Sequence, residues 1–410
     1  MTRFNLIVFV LFLVSYAHSS MAAMDHNASK KSPATCADVS QPARLKCAVA
    51  PSGVFDRKGD LYVAWSFGGH VYISRSSDKG KSFFAPLIVN RVPEAISARG
   101  ENRPKVAVDN KGRIYVSWTT QLEKRFTGNI RFSYSEDGKN FSDTVIVNDN
   151  LDLTGHRFDA LGVNNNGDIY IAWLDKRHRY QAEKKQQKYK GAAVYYALSE
   201  DGGKTFKPNK KIADQSCECC RVIMDMDRDD LPVVFWRHIF DENVRDHAMV
   251  KFSGKNQPGE VVRVSHDQWH IDACPHHGPD MSINESGDYH LAWFNNAPER
   301  QGLFYARYNK LDKTFSQSIN FGNYKATASH PNIEAIKNQV WLVWQEFDGK
   351  QHSIWLQKSL DGGDNWQKSE KMATASGNVD YPFFIKDGDQ LYIQWQTSDT
   401  GFNLVKVTGH

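Results

Sequence analysis

The five residues IYIAW, at positions 169–173, show a pattern that returns along most of the chain. Each copy is a short apolar run, rich in β-branched and aromatic residues, that ends in tryptophan, as is typical of a buried β-strand. The copies end at Trp65, Trp118, Trp173, Trp236, Trp293, Trp344 and Trp395. Because consecutive copies are 51 to 63 residues apart, they define an internal repeat of seven units.

Each repeat predicts four antiparallel strands. A shorter apolar run and a turn such as DNKG (109–112) or NNNG (164–167) precede the tryptophan run, and such turns are typical of β-hairpins. Two further runs follow, as in NIRFSYS (129–135) and TVIVN (144–148). Four strands in about fifty residues match one propeller blade. We therefore predict an all-β, seven-bladed β-propeller over residues 49–410, with a six-bladed ring and one appended repeat as the alternative.

The start of the chain has the features of a secretory signal. One arginine precedes about a dozen apolar residues and then a few small ones, so residues 1–22 are predicted to be cleaved. A membrane anchor is the alternative, although the run is shorter than the ~20 residues of a spanning helix. We expect a secreted or periplasmic protein without a membrane span after cleavage.

Residues 23–48 are expected to close the ring. The last repeat supplies three strands, and the segment around ARLKCAVA (43–50) is predicted to donate the missing outer strand, since a closed ring has no exposed sheet edge. In an oxidising compartment a Cys36–Cys47 disulfide would hold this segment.

The bulk composition excludes some partners. The chain of 410 residues is 40% hydrophobic and 24% charged, which suits a globular protein. Its formal net charge of +4 is mild for this length, so no nucleic-acid binding is expected. The sequence leaves the oligomeric state open.

A second motif lies in the turn after the third strand. SSDKGKSF (76–83), SEDGGKTF (199–206) and SLDGGDNW (359–366) share Ser-x-Asp-x-Gly-x-x-aromatic, and SEDGKNF (135–141) is one residue shorter. Serine and aspartate can bind the amides of the turn, glycine accepts a positive φ, and the aromatic residue is expected to pack into the blade. These turns resemble the Asp-boxes, or BNR repeats, of the sialidase superfamily. From about residue 50 onward the resemblance implies a propeller that handles sialic acid or another sugar, although the Asp-box itself is structural.

The propeller fold predicts where a site would form. Residues just before each first strand surround the mouth of the central channel, and the loops between the second and third strands lie on the same face. Together these segments contribute Arg103, His156, Arg157, Asp159, Arg221, His276, His277, His330 and Tyr381, and then Asp175, Arg177, Arg237 and Glu346. Because guanidinium groups bind carboxylates in a bidentate manner, we expect an axial pocket for an acidic small molecule or glycan.

The sialidase resemblance implies roles for these residues. Sialidases hold the substrate carboxylate with three arginines, use a tyrosine activated by a glutamate as nucleophile and use an aspartate as acid and base. By role, the matching positions are Arg103, Arg157 and Arg221 for the carboxylate, Tyr381 for the nucleophile, Glu334 or Glu346 for its partner, and Asp159 or Asp175 for the acid. Arg177 and Arg237 are further candidate ligand-binding residues. The Phe/Tyr-Arg-Ile-Pro signature of sialidases is replaced by ENRPKV (101–106), so binding without hydrolysis remains an alternative.

Four cysteines form the last feature. SCECCR (216–221) and Cys274 precede the first strands of adjacent blades, so Cys217, Cys219, Cys220 and Cys274 are expected to lie close together. They could form two disulfides that join the blades, including an adjacent Cys219–Cys220 bridge. Alternatively they bind copper or zinc together with His156, His276, His277 and His330. The acidic-ligand interpretation requires no cofactor, and a non-catalytic scaffold for protein interaction is a third possibility.

Overall fold

The computed structural model describes residues 45–408, which lie within one compact unit. The predicted signal peptide and Cys36 fall outside this range, so cleavage, export and the Cys36–Cys47 pair stay predictions. Among the described residues, no helix is long and apolar enough to cross a bilayer.

The described chain forms seven antiparallel sheets, which we name blades I to VII in chain order. Blade I contains strands Val49–Phe55, Leu61–Phe67, His70–Ser76 and Leu87–Ile88. Blade II contains Lys105–Val108, Ile114–Gln121, Gly128–Ser135 and Val145–Ile146. Blade III contains His156–Val163, Ile169–Asp175, Ala192–Ser199 and Lys210–Ser216. The prediction of a seven-bladed propeller is confirmed.

Blades IV and V have an outer strand in two pieces. Blade IV contains Ile223–Met226, Pro232–Arg237, His247–Gly254, Gln257–Pro258 and Val262–Arg263. Blade V contains Asp280–Ile283, Tyr289–Ala297, Arg300–Asn309, Thr314–Phe315 and Ile319–Phe321. Blade VI contains Ser329–Ile336, Gln339–Phe347, His352–Ser359 and Glu370–Ala375, and blade VII contains Phe383–Asp387, Gln390–Thr397 and Gly401–Lys406.

Helical segments in the described chain are short. The α-helix Arg177–Lys184 lies in the loop between the second and third strands of blade III. Three 3-10 turns occur at Leu45–Cys47, Asp241–Asn243 and Tyr324–Ala326.

The core of the described chain is divided among the seven contacts between neighbouring blades. Seven clusters of buried apolar residues each join two adjacent blades, including blade VII with blade I. The tryptophans that end the repeated runs are at the centre of this packing, because each is at most 3% exposed. A flat sheet with both faces covered by its neighbours needs apolar residues on both faces, which explains the near-continuous apolar runs.

The ring closes where blade VII meets blade I. Phe55 and Leu61 of blade I pack with Ile385 and Tyr392 of blade VII. The side-chain amide of Gln394 donates to the Pro51 carbonyl at 2.7 Å. The closure within the described chain is therefore made by side-chain packing between two blades.

The segment predicted to donate a closing strand differs from that prediction in its described part. Leu45–Cys47 form a 3-10 turn beside the strand Gly401–Lys406, and Val49 already begins blade I. The approach is close, since a Cβ on Gly401 would lie 2.8 Å from Lys46 Cα. Residues before Leu45 are not described, so a fourth strand there stays a prediction.

The four Asp-box-like turns make the predicted hydrogen bonds. In blade I, the Gly80 amide donates to Ser76 Oγ at 2.8 Å and the Ser82 amide donates to Asp78 Oδ1 at 2.8 Å. Equivalent bonds occur in the turns of blades II, III and VI. The aromatic residue that ends the turn packs on the preceding blade: Phe206 of blade III lies edge-on to Phe132 of blade II, with ring centroids 5.1 Å apart. These turns therefore also join neighbouring blades.

This packing predicts the effect of an alanine in the turn of blade III. Gly203 has φ +91°, and a Cβ there would lie 2.5 Å from Phe132 Cε1. Gly112 has a similar φ of +82° but open space around it. We expect Gly203→Ala to cost about 1 to 3 kcal/mol more unfolding free energy than Gly112→Ala, because only the first adds a steric clash to the backbone strain. Urea denaturation of both variants measures the difference, and equal losses would contradict the close packing.

Candidate functional site at the channel mouth

Side chains from distant parts of the chain meet at the channel mouth around Tyr381. The Arg103 guanidinium carbon lies 4.2 Å from the centre of the Tyr381 ring, and that of Arg221 lies 5.1 Å away. The His330 ring stacks on the same tyrosine at 5.0 Å and 7°. His277 follows, with its ring 4.6 Å from that of His330. The structure thus brings together five of the predicted site residues.

Proline helps to place two of these side chains. Arg103 and Tyr381 each precede a proline at the entry to a first strand. A residue before proline is restricted to extended conformations, so the chain cannot coil into a helix at these positions. The side chains are thereby presented at the start of the innermost strands of blades II and VII.

Both arginines are buried and paired. Arg103 is 4% exposed, and its Nη2 lies 2.9 Å from Asp380 Oδ1. Arg221 is 5% exposed; its Nη1 lies 3.1 Å from Glu101 Oε1, and it also donates to the carbonyls of Pro279 and Pro331 at 2.9 Å. These bonds join the chain segments at the start of the first strands of blades II, IV, V and VI, which lie around the centre of the ring.

Glu101 and Asp380 were missed by the sequence interpretation. Glu101 accepts the Arg221 amide at 3.0 Å and the Gly278 amide at 2.6 Å, in addition to the guanidinium. The signal was present in the sequence, since each acid stands within two residues of a predicted site residue, in ENRP and in DYP. A buried arginine needs a nearby acid, so searching for acids beside all the predicted site residues would have found both.

Burial keeps the titratable rings beside Tyr381, and Tyr381 itself, uncharged at neutral pH. Burial raises the pKa of Tyr381 despite the two arginines, so its phenol remains protonated. Burial lowers the pKa of His330 to about 3 and that of His277 well below the usual value. Within residues 45–408, the buried Nδ1 atoms of both histidines lack a hydrogen-bond partner. The mouth thus combines a neutral phenol with two neutral imidazoles.

A second layer of charged groups lies on the first strands. Burial lowers the pKa of Lys105 to about 8, raises that of Asp159, and raises that of Asp280 to about 7. Ser117 Oγ donates to Asp159 Oδ2 at 2.6 Å. On blade VI, Glu334 Oε1 accepts from Lys386 Nζ at 2.8 Å, which joins blades VI and VII.

Two of the predicted acids bind tryptophan indoles. The Trp173 indole N–H donates to Asp175 Oδ2 at 2.9 Å, and the Trp344 indole N–H donates to Glu346 Oε1 at 2.8 Å. A buried indole N–H requires an acceptor, and the acid two residues further along supplies it. The carboxylates that act on Tyr381 are instead Glu101 and Asp380.

Two predicted ligand-binding arginines also make internal contacts. Arg177 Nη2 lies 2.8 Å from Asp175 Oδ2, and its Nη1 lies 2.8 Å from Asp149 Oδ1. Arg237 is 1% exposed and donates to the carbonyls of Arg245, His277 and Phe294 at 2.7 to 3.1 Å. Arg237 therefore connects blade IV to blade V.

Arg157 lies apart from the other two predicted carboxylate-binding arginines. Its guanidinium is 4.9 Å from the centre of the Phe158 ring and 5.7 Å from that of Phe126. Burial lowers its pKa, and the neighbouring Cys219 and Cys274 act in the opposite direction. Arg157 belongs to the surroundings of the cysteines.

The four cysteines meet as predicted, as free thiols. Cys217 Sγ lies 3.8 Å from Cys219 Sγ and 3.7 Å from Cys220 Sγ, and Cys274 interacts with Cys219. Among the residues described, the side chains close enough together to hold a metal ion here are Cys217, Cys219 and Cys220, without Cys274 and without a histidine.

The histidines predicted to join the cysteines have other neighbours. His156 Nδ1 bonds the Gly128 carbonyl at 2.8 Å, and its Nε2 lies 3.6 Å from Asp175 Oδ2. His277 and His330 lie against each other near Tyr381. His276 is half-buried, and its charge lowers the pKa of both His277 and His330.

Comparison with known proteins agrees with the fold. No family model and no curated protein matches the sequence. Among solved structures, an ulvan lyase bound to -[GlcA(1-4)Rha3S]- has a TM-score of 0.58 at 14% identity, over 89% of this chain and 92% of that one. The BP39L lectin from Burkholderia pseudomallei has a TM-score of 0.57 at 10% identity, over 88% and 99%.

A third similar structure is the leech intramolecular trans-sialidase, with a TM-score of 0.50 at 8% identity, over 86% of this chain and 84% of that one. At such identities the likeness shows the fold alone. The protein is a seven-bladed β-propeller with a charged, aromatic cluster at the mouth of its channel.

Proposed function

We propose that the protein binds the acidic residue of a glycan at the channel mouth and that Tyr381 and His330 exchange protons with it. The observation that carries this proposal is that Tyr381 contacts two guanidinium groups and stacks on a histidine with an unpartnered nitrogen. The similar propellers support a sugar ligand, since one is bound to a glucuronate-containing saccharide, one is a lectin and one is a trans-sialidase.

The cationic groups supply the preference for an acid. A guanidinium carries five N–H donors, and the Arg221 side chain gives three of its bonds to Pro279, Glu101 and Pro331. A further Arg221 donor faces the Tyr381 hydroxyl. A ligand carboxylate bound beside this hydroxyl would accept a charge-assisted hydrogen bond, which is stronger than a neutral one.

The same residues can act in catalysis. A neutral imidazole accepts a proton and a neutral phenol donates one, as general acid–base catalysis requires. For hydrolysis, Tyr381 would be the nucleophile with Glu101 as its partner, in place of Glu334 or Glu346. The raised pKa of Asp159 favours its role as the acid. For elimination, His330 would remove the proton next to the carboxylate, and the Tyr381 phenol would protonate the glycosidic oxygen as its C–O bond breaks and the C=C bond forms.

Tyr381→Phe tests this proposal. We expect the variant to bind glucuronate oligosaccharides or sialyllactose about tenfold more weakly than the parent, because one hydrogen bond to a charged group is worth about 1.5 kcal/mol or more. Any turnover should be lost. Tyr324→Phe is the matched control, since its exposed hydroxyl donates to Asn296. Titration calorimetry measures binding.

Product masses distinguish the reactions, because hydrolysis adds water and elimination does not. A parent protein that binds no acidic glycan contradicts the proposal and favours the non-catalytic scaffold. Equal binding by Tyr381→Phe and the parent would place the ligand elsewhere.

A further inference from the structure

The cysteine cluster lies in the connection from blade III to blade IV, next to the channel mouth. The Cys217 amide donates to the Arg237 carbonyl at 3.0 Å, which ties the connection to blade IV. Cys219 and Cys220 follow within the same short turn, and Cys220 directly precedes Arg221. Cys217, Cys219 and Cys220 are 0%, 5% and 2% exposed.

The sulfur positions match those of metal ligands. Cys217 Sγ lies 3.8 Å and 3.7 Å from the other two sulfur atoms of the turn. A metal–sulfur bond of about 2.3 Å in a tetrahedral site places two sulfur ligands about 3.8 Å apart. A disulfide instead requires about 2.05 Å between the sulfurs, so forming one would move these side chains.

Cys274 is a fourth cysteine nearby, outside the three whose sulfur atoms all lie within 4.8 Å of one another. It belongs to the connection that enters blade V and interacts with Cys219. It is the exposed one of the four, so it lies between the buried turn and solvent. An ion could therefore reach the three buried sulfurs past Cys274.

Positively charged groups surround the cysteines. The charges of Arg237 and Arg245 act on Cys217. Arg157 interacts with Cys219 and Cys274. Three arginines are thus placed to balance the negative charge that sulfur ligands carry when bound to a metal.

We propose that Cys217, Cys219 and Cys220 bind one thiophilic d10 cation, Cu(I) or Zn(II), with Cys274 as the fourth ligand where the ion requires four. Sulfur ligands select these ions over hard cations such as Mg²⁺ and Ca²⁺, which prefer oxygen. Binding displaces the thiol protons and leaves the oxidation state of the ion unchanged. Because Cys220 adjoins Arg221, the ion would also brace the loop that carries this arginine.

The test is metal titration of the reduced full-length protein. Under anaerobic conditions, Cu(I) is competed against a chromophoric Cu(I) chelator, and Zn(II) against a chromophoric zinc chelator. We expect one equivalent of one of these ions to bind, and affinity to fall at least 100-fold in Cys217→Ser. Cys274→Ser should lose less affinity if three sulfurs suffice, as for Cu(I), and as much as Cys217→Ser if four are required, as for Zn(II). Glu218→Gln is the matched control, because it changes the same turn without removing a sulfur.

A second measurement keeps the proposal testable if a variant fails to fold. Co(II) added to the unaltered protein should give intense sulfur-to-cobalt charge-transfer absorption, and bound Zn(II) or Cu(I) should protect at least three thiols from a thiol reagent. Absent charge-transfer absorption, unprotected thiols, or a Cys219–Cys274 disulfide found by mass spectrometry in protein purified without reductant would each overturn the proposal.

Discussion

Replacing Glu101 by alanine is expected to lower the free energy of unfolding by about 3 to 5 kcal/mol, because it leaves the buried charge of Arg221 without its partner. Glu101 accepts from the Arg221 guanidinium at 3.1 Å and from the amides of Arg221 and Gly278 at 3.0 and 2.6 Å. One side chain thus holds the entries to blades II, IV and V together across the axis. Urea denaturation measures the loss.

The chain offers a matched control for this variant. Arg91 and Asp143 form an ion pair at 3.3 Å whose side chains are 71% and 92% exposed. An exposed pair contributes about 0 to 1 kcal/mol, so Asp143→Ala should change stability little. Glu101→Gln keeps an acceptor and should lose less than Glu101→Ala. Similar losses for Glu101→Ala and Asp143→Ala would show that the axial network does not stabilise the ring.

The second large effect concerns pH. Burial lowers the pKa of His238 and His290 to about 4 and those of His247 and His277 well below the usual value. The unfolded chain binds protons at these histidines near pH 6.5 and the folded protein does not. Their stabilisation is therefore fully present above about pH 6.5 and is lost as the pH falls towards 4, by about 2 kcal/mol per histidine at pH 5.

Several buried carboxyl groups oppose this loss, and Asp159 and Asp246 are among them. Burial raises the pKa of Asp280 to about 7 and that of Asp225 to about 6, so the folded protein binds these protons more readily than the unfolded chain. Protonation of Asp280 and Asp225 between pH 7.5 and 5 adds about 4 kcal/mol to the free energy of unfolding. This gain is smaller than the total loss of about 8 kcal/mol for the four histidines. We therefore expect the protein to be less stable at pH 5 than at pH 7.5.

Denaturation midpoints at several pH values test this expectation. His290→Gln removes one buried titrating group and should flatten the pH dependence. His266→Gln is the control, because His266 is exposed in the folded protein. Stability that is constant or rises from pH 7.5 to 5 would contradict the dominance of the histidines.

Much of the fold was predictable because it depends on short-range patterns. The runs ending at Trp118 and Trp173 specify strands through their apolar residues, and the turn at Ser199–Phe206 specifies its own hydrogen bonds. Both features are local, so they can be recognised without knowing what lies across the ring. The number of blades followed from counting them.

The candidate site was predictable only in part. Position at the start of a first strand predicted that Arg103, Arg221 and Tyr381 would lie close together, and the structure brings the three side chains into contact. The same reasoning could not separate acids at the axis from acids that bind indoles. Asp175 and Glu346 each follow a tryptophan of the repeat by two residues, and this spacing is visible in the sequence. Only the structure shows that each indole N–H donates to the acid.

By itself, the sequence determined the repeat, the strands, the Asp-box-like turns and the meeting of four cysteines, because these depend on neighbours along the chain or on the regular order of blades. Only the tertiary structure decided that Glu101 pairs with Arg221, that Tyr381 contacts two guanidinium groups, and that the histidines stay apart from the cysteines. The physical reason is that partners across the axis are chosen by the direction and burial of side chains on loops far apart in the chain. No periodicity along the sequence records those directions.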